Sequence, residues 1–201
     1  VLFVISGPSG CGKSTLVKHI LDDVENVTFS VSYTTRKRRD AEKEGKDYFF
    51  ISEEAFKKLI QEDKLVEWAV VHKNYYGTAR RELERKSGVG DLLLDIDVQG
   101  ARQIKDKVKK AVFVFILPPL FRELKRRLEQ RGQESKKSIQ KRLETAKKEI
   151  RQYYHFDYII INNQLDKAVE ELKAVILNQR CRREARKKEI IPILRSFSGE
   201  E

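Results

Sequence analysis

Two hundred and one residues, 40% hydrophobic and 36% charged, with 10 Gly and 4 Pro, describe a folded chain long enough to bury a core unaided. That composition excludes a disordered chain, a collagen-like or low-complexity repeat and a disulfide framework, since Cys11 and Cys181 lie far apart. A formal charge of +11 asks for anionic partners such as phosphorylated small molecules, nucleic acid or lipid. No apolar run approaches the ~18 residues of a membrane span. Val1–Ser6 has neither the basic start nor the cleavage site of a signal peptide, although the absence of an initial Met leaves a removed leader open. With two isolated cysteines, a cytoplasmic protein without membrane partners is expected.

The chain opens on Leu2–Ser6, an unbroken apolar run of the kind that both faces of a parallel sheet require. It runs into Gly7-Pro8-Ser9-Gly10-Cys11-Gly12-Lys13-Ser14, then Thr15 and the helical spacing of Leu16, Val17 and Ile20. Thr28–Ser32 is the next strand. From Tyr33 to Lys86 the rhythm breaks into short aromatic and β-branched runs, Tyr48–Ile51 and Leu65–Val71, around a helix at Glu53–Ile60. Core-type strands return at Leu92–Asp95, Val112–Leu117 (closed by Pro118 and Pro119) and Tyr158–Ile161. Leu120, Leu124 and Leu128 stripe one helix, Ile139, Leu143, Ala146 and Ile150 another, and Leu165, Val169, Leu172 and Ile176 a last one with Asp166 near its start. Alternating strands and helices predict an α/β fold with a parallel sheet over 1–32, 87–126 and 143–201. An inserted α+β lobe is expected over 33–86, and the polar, basic segment 127–142 reads as a flap or lid.

Gly7–Ser14 fits GxxxxGK[ST] at every fixed position, between a strand and a helix as that motif requires. Glycines let backbone N–H groups close around phosphate oxygens, and the helix N-terminus adds a positive dipole. Lys13 supplies a point charge to the transferred phosphate of a nucleoside triphosphate, and the Ser14 hydroxyl is placed to ligate Mg²⁺. Asp95 ends an apolar strand and Asp97 follows on the same side of the chain. Asp95 reads equally well as a metal holder acting through water and as a cap for the helix that follows. Cys11 inside the cradle reads as an oxidation liability rather than a nucleophile. His19, His72 and His155 show no ligand spacing.

The basic excess sits in two places. Residues 122–142 hold 9 basic and 3 acidic side chains, and 180–188 hold 6 basic and 1 acidic. A charge run is usually a solvated helix face, and the tail from Arg180 is read that way, without a catalytic role and with no nucleic-acid partner expected.

The segment Thr34-Thr35-Arg36-Lys37-Arg38-Arg39-Asp40, with Glu42, Gly45 and Tyr48-Phe49-Phe50, matches T-[ST]-R-x₂-[KR]-x₂-[DE]-x₂-G-x₂-Y-x-[FY] throughout. Asp95-Ile96-Asp97-Val98-Gln99-Gly100 and Arg131-Gly132 complete a pattern that resembles the guanylate kinase family, from Val1 to about Ile176. The resemblance implies transfer of phosphate from ATP to GMP with Mg²⁺. It implies that Arg36, Arg39, Tyr48 and Tyr76 hold the GMP phosphate and that Ser32, Glu67, Thr78 and Asp97 read guanine. It further implies that Arg131 and Arg142, together with Arg127, close over the ATP phosphates. Elementary chemistry agrees: guanidinium forks match phosphate oxygens, and a carboxylate can accept both the N1 and N2 donors of guanine. Trp68 and Phe50 are expected in the core. Arg38 stands where many family members have proline. Related domains of scaffold proteins bind phosphopeptides without catalysis, but they generally lack an intact cradle and carry proline at the position of Ser32. Lys13, Ser14 and Ser32 favour the enzyme. Oligomeric state is not legible.

Overall fold

The computed structural model describes residues 1–86, 90–130 and 135–198. Its centre is β1 (Leu2–Ser6), apolar because a strand covered on both faces has no solvent side. Around it lie β2 (Val27–Phe29), β7 (Asp91–Asp95), β8 (Val112–Leu117) and β9 (Tyr158–Ile161), all parallel, in the order β2-β7-β1-β8-β9. Phe3 and Ile5 face α1 (Lys13–Asp23) and α7 (Leu165–Arg180), joining Leu16, Ile20, Val169 and Leu172 in one cluster. Val4 points the other way, with Leu92, Leu94 and Phe113, onto Ala101 and Ile104 of α4 (Val98–Lys107). The period of two along β1 thus divides one strand between two cores. The connection after β1 leads to β2 and that after β8 to β9, in opposite directions, and such sheets open a ligand crevice at the carboxyl ends of the two strands between which the direction switches.

A second sheet has the order β4-β3-β6-β5, built from β3 (Ser32–Thr34), β4 (Tyr48–Phe50), β5 (Leu65–Val71) and β6 (Asn74–Ala79). It packs on α2 (Glu53–Gln61) through Tyr33, Phe56, Leu65 and Ala79. α2 starts where Ser52 accepts the Ala55 N–H at 3.2 Å, with Glu53 and Glu54 in the first turn. α3 (Arg80–Lys86) leads back to the core sheet.

Several expectations change in detail. The run Thr28–Ser32 is two strands, because the chain leaves the core sheet after Ser30 donates to the Leu93 carbonyl and Ser32 already pairs with Tyr48. Trp68 is 37% exposed rather than core. It lies on the face of Leu65 but at the rim of the lobe core, its ring centre 6.0 Å from that of Tyr75. β5 is irregular before it: Leu65 faces Ala79 while Glu67 faces Thr78, so Val66 is an extra residue. That bulge turns Glu67 off the face of Leu65, with Leu65 in the lobe core, Val66 in the α4 cluster and Glu67 in the interior. The segment read as a flap begins and ends inside helices, α5 (Phe121–Gln130) and α6 (Lys136–Glu149), which pack through Leu124, Leu128, Leu143 and Ala146. Arg131 and Gly132 lie outside the described residues. Among the described residues no helix is long and apolar enough to cross a membrane.

The basic tail is not uniform either. α8 (Arg183–Ser198) buries none of its side chains, as a solvated helix should, apolar Leu194 and Phe197 included. Arg180 behaves differently. Its Nε donates to Asp91 Oδ2 at 2.7 Å and its Nη2 to the Glu25 carbonyl at 2.7 Å, and the Asp91 side chain is only 6% exposed. Asp91 Oδ1 accepts from the Val1 amino group at 2.8 Å, so removing Arg180 leaves the buried carboxylate with one of its two cationic partners. Arg180→Ala should therefore cost about 1–3 kcal/mol, or several degrees of melting temperature in a domain of this size. Truncation after Arg182 should leave both melting temperature and catalytic rate unchanged. Thermal unfolding and rate measurements on the two proteins check the distinction.

Candidate active site

Between core and lobe lies an open cleft of about 1200 Å³, lined by the glycine-rich loop on one wall and by β3, β6 and Glu67 on the other. The loop's shape depends on two glycines. At Gly7, with φ of 144°, a Cβ would sit 2.2 Å from the Ile116 carbonyl oxygen. Gly12, with φ of 100°, ends the loop at the start of α1, and a Cβ there would meet Asn162 Nδ2 at 2.3 Å. Asn162 Nδ2 donates to the Cys11 carbonyl at 2.8 Å, which ties the loop to the end of β9. Lys13 Nζ folds over the loop to the Gly7 carbonyl at 2.8 Å. Burial opposes its charge, but the carboxylates of Asp95, Glu149 and Asp97 face it, and the ammonium is held above its usual range.

Asp95 does not cap the helix that follows. Ser14 Oγ donates to Asp95 Oδ2 at 3.0 Å, and Lys13 Nζ lies 4.0 Å from Asp95 Oδ1. The helix cap is Asp97, whose Oδ1 accepts the Gly100 N–H at 2.9 Å. Burial raises the Asp95 carboxyl, and Lys13 and Ser14 pull it back. Cys11 is wholly buried, and burial pushes its thiol up, so it is a protonated packing group and not the oxidation liability expected of an accessible thiol.

On the opposite wall Arg36 is already oriented. Glu42 grips it bidentately at 2.8 and 3.0 Å, its Nε donates to the Tyr76 hydroxyl at 3.2 Å, and it lies 5.5 Å from the centre of the Tyr48 ring. The guanidinium and carboxylate hold each other charged: burial works against both, but their mutual bonds raise Arg36 and lower Glu42. Arg39 is more exposed, with Nη1 3.8 Å from Glu42. Burial raises the Tyr48 hydroxyl well above its ordinary value, which keeps it a neutral donor. Phe50, half-buried under Arg36 at 5.7 Å, stands between core and site.

Deeper in, Thr78 Oγ1 donates to Glu67 Oε1 at 2.6 Å, and Ser32 Oγ lies 3.5 Å from the Thr78 hydroxyl. Glu67 is 3% exposed. Burial, with Asp97 adding to it, raises its carboxyl to about 7 against the pull of Thr78 and Lys107.

This chain is similar along nearly its whole length to proteins of one kind. The sequence model of the family described as guanylate kinase matches residues 1–179. The chain belongs to the guanylate kinase family. The guanylate kinase of Geobacter sulfurreducens is 50% identical over 183 residues, 90% of each chain. That of Thermotoga maritima is 44% identical over 182 residues, 90% of this chain and 88% of that one. The crystal structure of the guanylate kinase from Anaplasma phagocytophilum, 34% identical, superposes with a TM-score of 0.77 over 91% of this chain and 87% of that one. Guanylate kinases transfer phosphate from ATP to GMP. The match to the family ends at residue 179, before α8.

Within this guanylate kinase scaffold the lid arginines differ from one another. Arg142, 7% exposed, lines the cleft and donates to the Ser9 hydroxyl of the loop. Arg127 does not line the cleft. Its donors go to Glu123 at 2.7 Å, to the Asn162 carbonyl at 3.0 Å and to the Cys11 carbonyl at 3.3 Å, so it braces the loop's backbone. Arg131 lies outside the described residues. Three side chains that sequence reasoning left without a role belong here. Glu42 was visible in the Arg–Tyr motif. Gly100 is bare because a Cβ would lie 2.3 Å from Glu67 Oε2. Glu149 lines the cleft two helical turns after Arg142, its carboxyl raised by burial, and its only sequence signal is that spacing.

Glu67 makes stability depend on pH. Its folded value of about 7 lies above 4.5, so the native protein binds an extra proton between them, and that contribution is complete below pH 4.5 and lost above about 7. Glu67→Gln should therefore melt higher than the parent at pH 8, by the equivalent of up to about 3 kcal/mol, and no higher at pH 4.5. Melting curves at the two pH values test this.

Proposed function

We propose that the protein phosphorylates GMP in this cleft, with ATP on the Gly7–Thr15 cradle and GMP against the lobe. The buried Glu67–Thr78–Ser32 chain carries the reading. It offers a carboxylate in a place with no water to satisfy it, which suits two parallel N–H donors on one ring edge. Guanine presents that edge at N1 and N2, whereas adenine turns an acceptor there. Asp97 closes the same end. Arg36, Arg39 and the hydroxyls of Tyr48 and Tyr76 take the GMP phosphate; the grip of Glu42 leaves Arg36 little rotamer entropy to lose.

The reaction needs no covalent intermediate and no strong base, because the attacking phosphate oxygen is already an anion. Gly7, Pro8, Ser9, Gly10, Cys11, Gly12 and Thr15 supply the loop that surrounds the ATP phosphates. Lys13, Arg142 and Arg131 neutralise charge that spreads in the transition state, and Arg127 acts one step removed by bracing the loop. The donor set fits a hard cation: the Ser14 hydroxyl and the Asp95 carboxylate lie 3.0 Å apart beside the cradle. Among the described residues no group of three or more His, Cys, Asp or Glu could hold a metal, which suits an ion held chiefly by phosphates and water. Mg²⁺ would be held by Ser14 directly and by Asp95 through water, and when bound it would draw charge from the phosphate oxygens. The division of labour follows the sheets: core over 1–32, 87–126 and 143–201, GMP lobe over 33–86 joined by Ser32, and lid over 127–142. The free thiols of Cys11 and Cys181 support a cytoplasmic location.

Lys13→Ala should lower kcat by about 10²–10³ with an unchanged melting temperature, since one preorganised charge is removed from the phosphate site. Near-parental ADP release would move catalysis away from the cradle. Glu67→Gln replaces one acceptor by a donor and should lower kcat/KM for GMP roughly 30- to 1000-fold, about 2–4 kcal/mol, with ATP affinity unchanged. AMP should remain a poor acceptor in both proteins. In the parent, kcat/KM for GMP should fall as pH drops through about 7, where Glu67 takes up its proton. The GMP phosphate titrates near 6 on its own account, so the difference between parent and Glu67→Gln profiles isolates the carboxylate.

A further inference from the structure

The strand that carries Glu67 is an edge strand, paired only with β6, so backbone groups on its other side need partners. Helix α4 provides them. Gln103 Oε1 accepts the Trp68 N–H at 3.2 Å, and Gln103 Nε2 donates to the Trp68 carbonyl at 2.7 Å. One side-chain amide thus stands in for a neighbouring strand. One turn further, Lys107 Nζ donates to the Val66 carbonyl at 2.6 Å. Trp68 and Val66 are the residues on either side of Glu67. Gly100, one turn earlier, brings the same helix face against the Glu67 carboxylate itself, since a Cβ there would lie 2.3 Å from Oε2. Positions 100, 103 and 107 share one face of a helix.

The helix is also fixed to the ATP side. It begins at its cap, Asp97, two residues beyond Asp95, which bonds Ser14 of the cradle. Ala101 and Ile104, on a neighbouring face, are buried in the core sheet. A shift of α4 would disturb both substrates' walls together.

We propose that Gln103 is a positioning residue for base recognition: by clamping Trp68 to α4, with Lys107 clamping Val66, it presents the Glu67 carboxylate to guanine at a fixed distance from the cradle. The proposal rests on the assignment of Glu67 to guanine. Gln103 touches no substrate, and its effect passes through the backbone of β5. The bulge at Val66 makes such a clamp necessary, because an irregular edge strand has lost part of its own ladder. One consequence is an asymmetric lobe. β5, with Glu67, is the edge fixed to α4, and β4, with Tyr48, is the far edge.

The test uses the full chain with Gln103→Met, which keeps length and packing but lacks the amide, and Gln103→Asn, which keeps the amide but falls a methylene short. Both should raise KM for GMP about tenfold, the loss of two ordinary hydrogen bonds, while KM for ATP stays within twofold and melting temperature changes little. A loosened β5 lets water reach Glu67, which faces Asp97 and Lys107 from α4 and Thr78 from β6. The acid limb of kcat/KM for GMP should then move from about 7 toward the ordinary carboxylate range. Parental constants for both substrates, a loss shared equally by GMP and ATP, or an unmoved acid limb would each overturn the proposal. Glu67→Gln separates the two layers. If it leaves GMP kinetics intact, the guanine assignment fails and the proposal with it. If it impairs GMP use while both Gln103 variants behave as the parent, the clamp alone fails.

Discussion

A carboxylate almost withdrawn from water, at the inner wall of the cleft, is the constraint around which the lobe is organised. Glu67 is buried against Thr78, Gly100 and Asp97, and its raised pKa measures how poorly the folded protein solvates the charge it would carry. Nothing about folding alone favours that arrangement. It is sustained by features that make sense only together: a bulge that turns Glu67 off the face of Leu65, a glycine where any side chain would collide, and helix-borne bonds to the strand on both sides. A site built this way spends stability on preorganisation, as recognition sites commonly do.

The phosphate wall solves the opposite problem. Here charge is abundant and has to be held ready rather than withheld. Lys13 rests on the Gly7 carbonyl, Arg36 in the grip of Glu42, and Arg142 on the Ser9 hydroxyl, so each cation is oriented by a protein acceptor at the edge of the cleft. Such acceptors cost less to exchange than water does, because the side chain is already confined. The base end therefore discriminates by dehydration, and the phosphate end accelerates by oriented charge.

How much of this could be read from sequence follows from the range of each interaction. β1 and β8 were legible because burial on both faces demands apolar residues at every position. The cradle was legible because its chemistry is contiguous, and the Arg–Tyr motif because Arg36, Glu42 and Tyr48 lie within one short segment. Interactions between distant segments were not. Arg180 looked like one more tail charge, yet its partner Asp91 is 89 residues away. Arg127 looked like a lid charge, yet two of its acceptors are the carbonyls of Cys11 and Asn162. Nor did composition show the bulge at Val66, which turns Glu67 off the face of Leu65, because an inserted residue leaves no mark in composition. Asp95 was ambiguous for a different reason: a carboxylate at a strand's end can face the cleft or cap the next helix, and only the bond from the Gly100 N–H to Asp97 shows which residue caps.

The placement of α4 explains why these local solutions form one enzyme. A kinase that recognises its acceptor in a lobe must still keep that lobe in register with a donor held by the core. A flexible connection would let the base bind firmly while the phosphate missed its mark, and misplacement by about 1 Å can cost 10²-fold in rate. Two covalent crossings at the root of the lobe do not prevent such tilting. Helix α4 adds a third, non-covalent crossing, anchored in the sheet by Ala101 and Ile104, at the cradle by the turn from Asp95 to Asp97, and on β5 by Gln103 and Lys107. Each attachment removes a direction in which Glu67 could drift relative to the cradle. The family's Asp-Ile-Asp-x-Gln-Gly segment then has a mechanical meaning beyond its carboxylates: it begins a helix whose bare third residue lies against the base reader, and whose next turn clamps the strand that carries it.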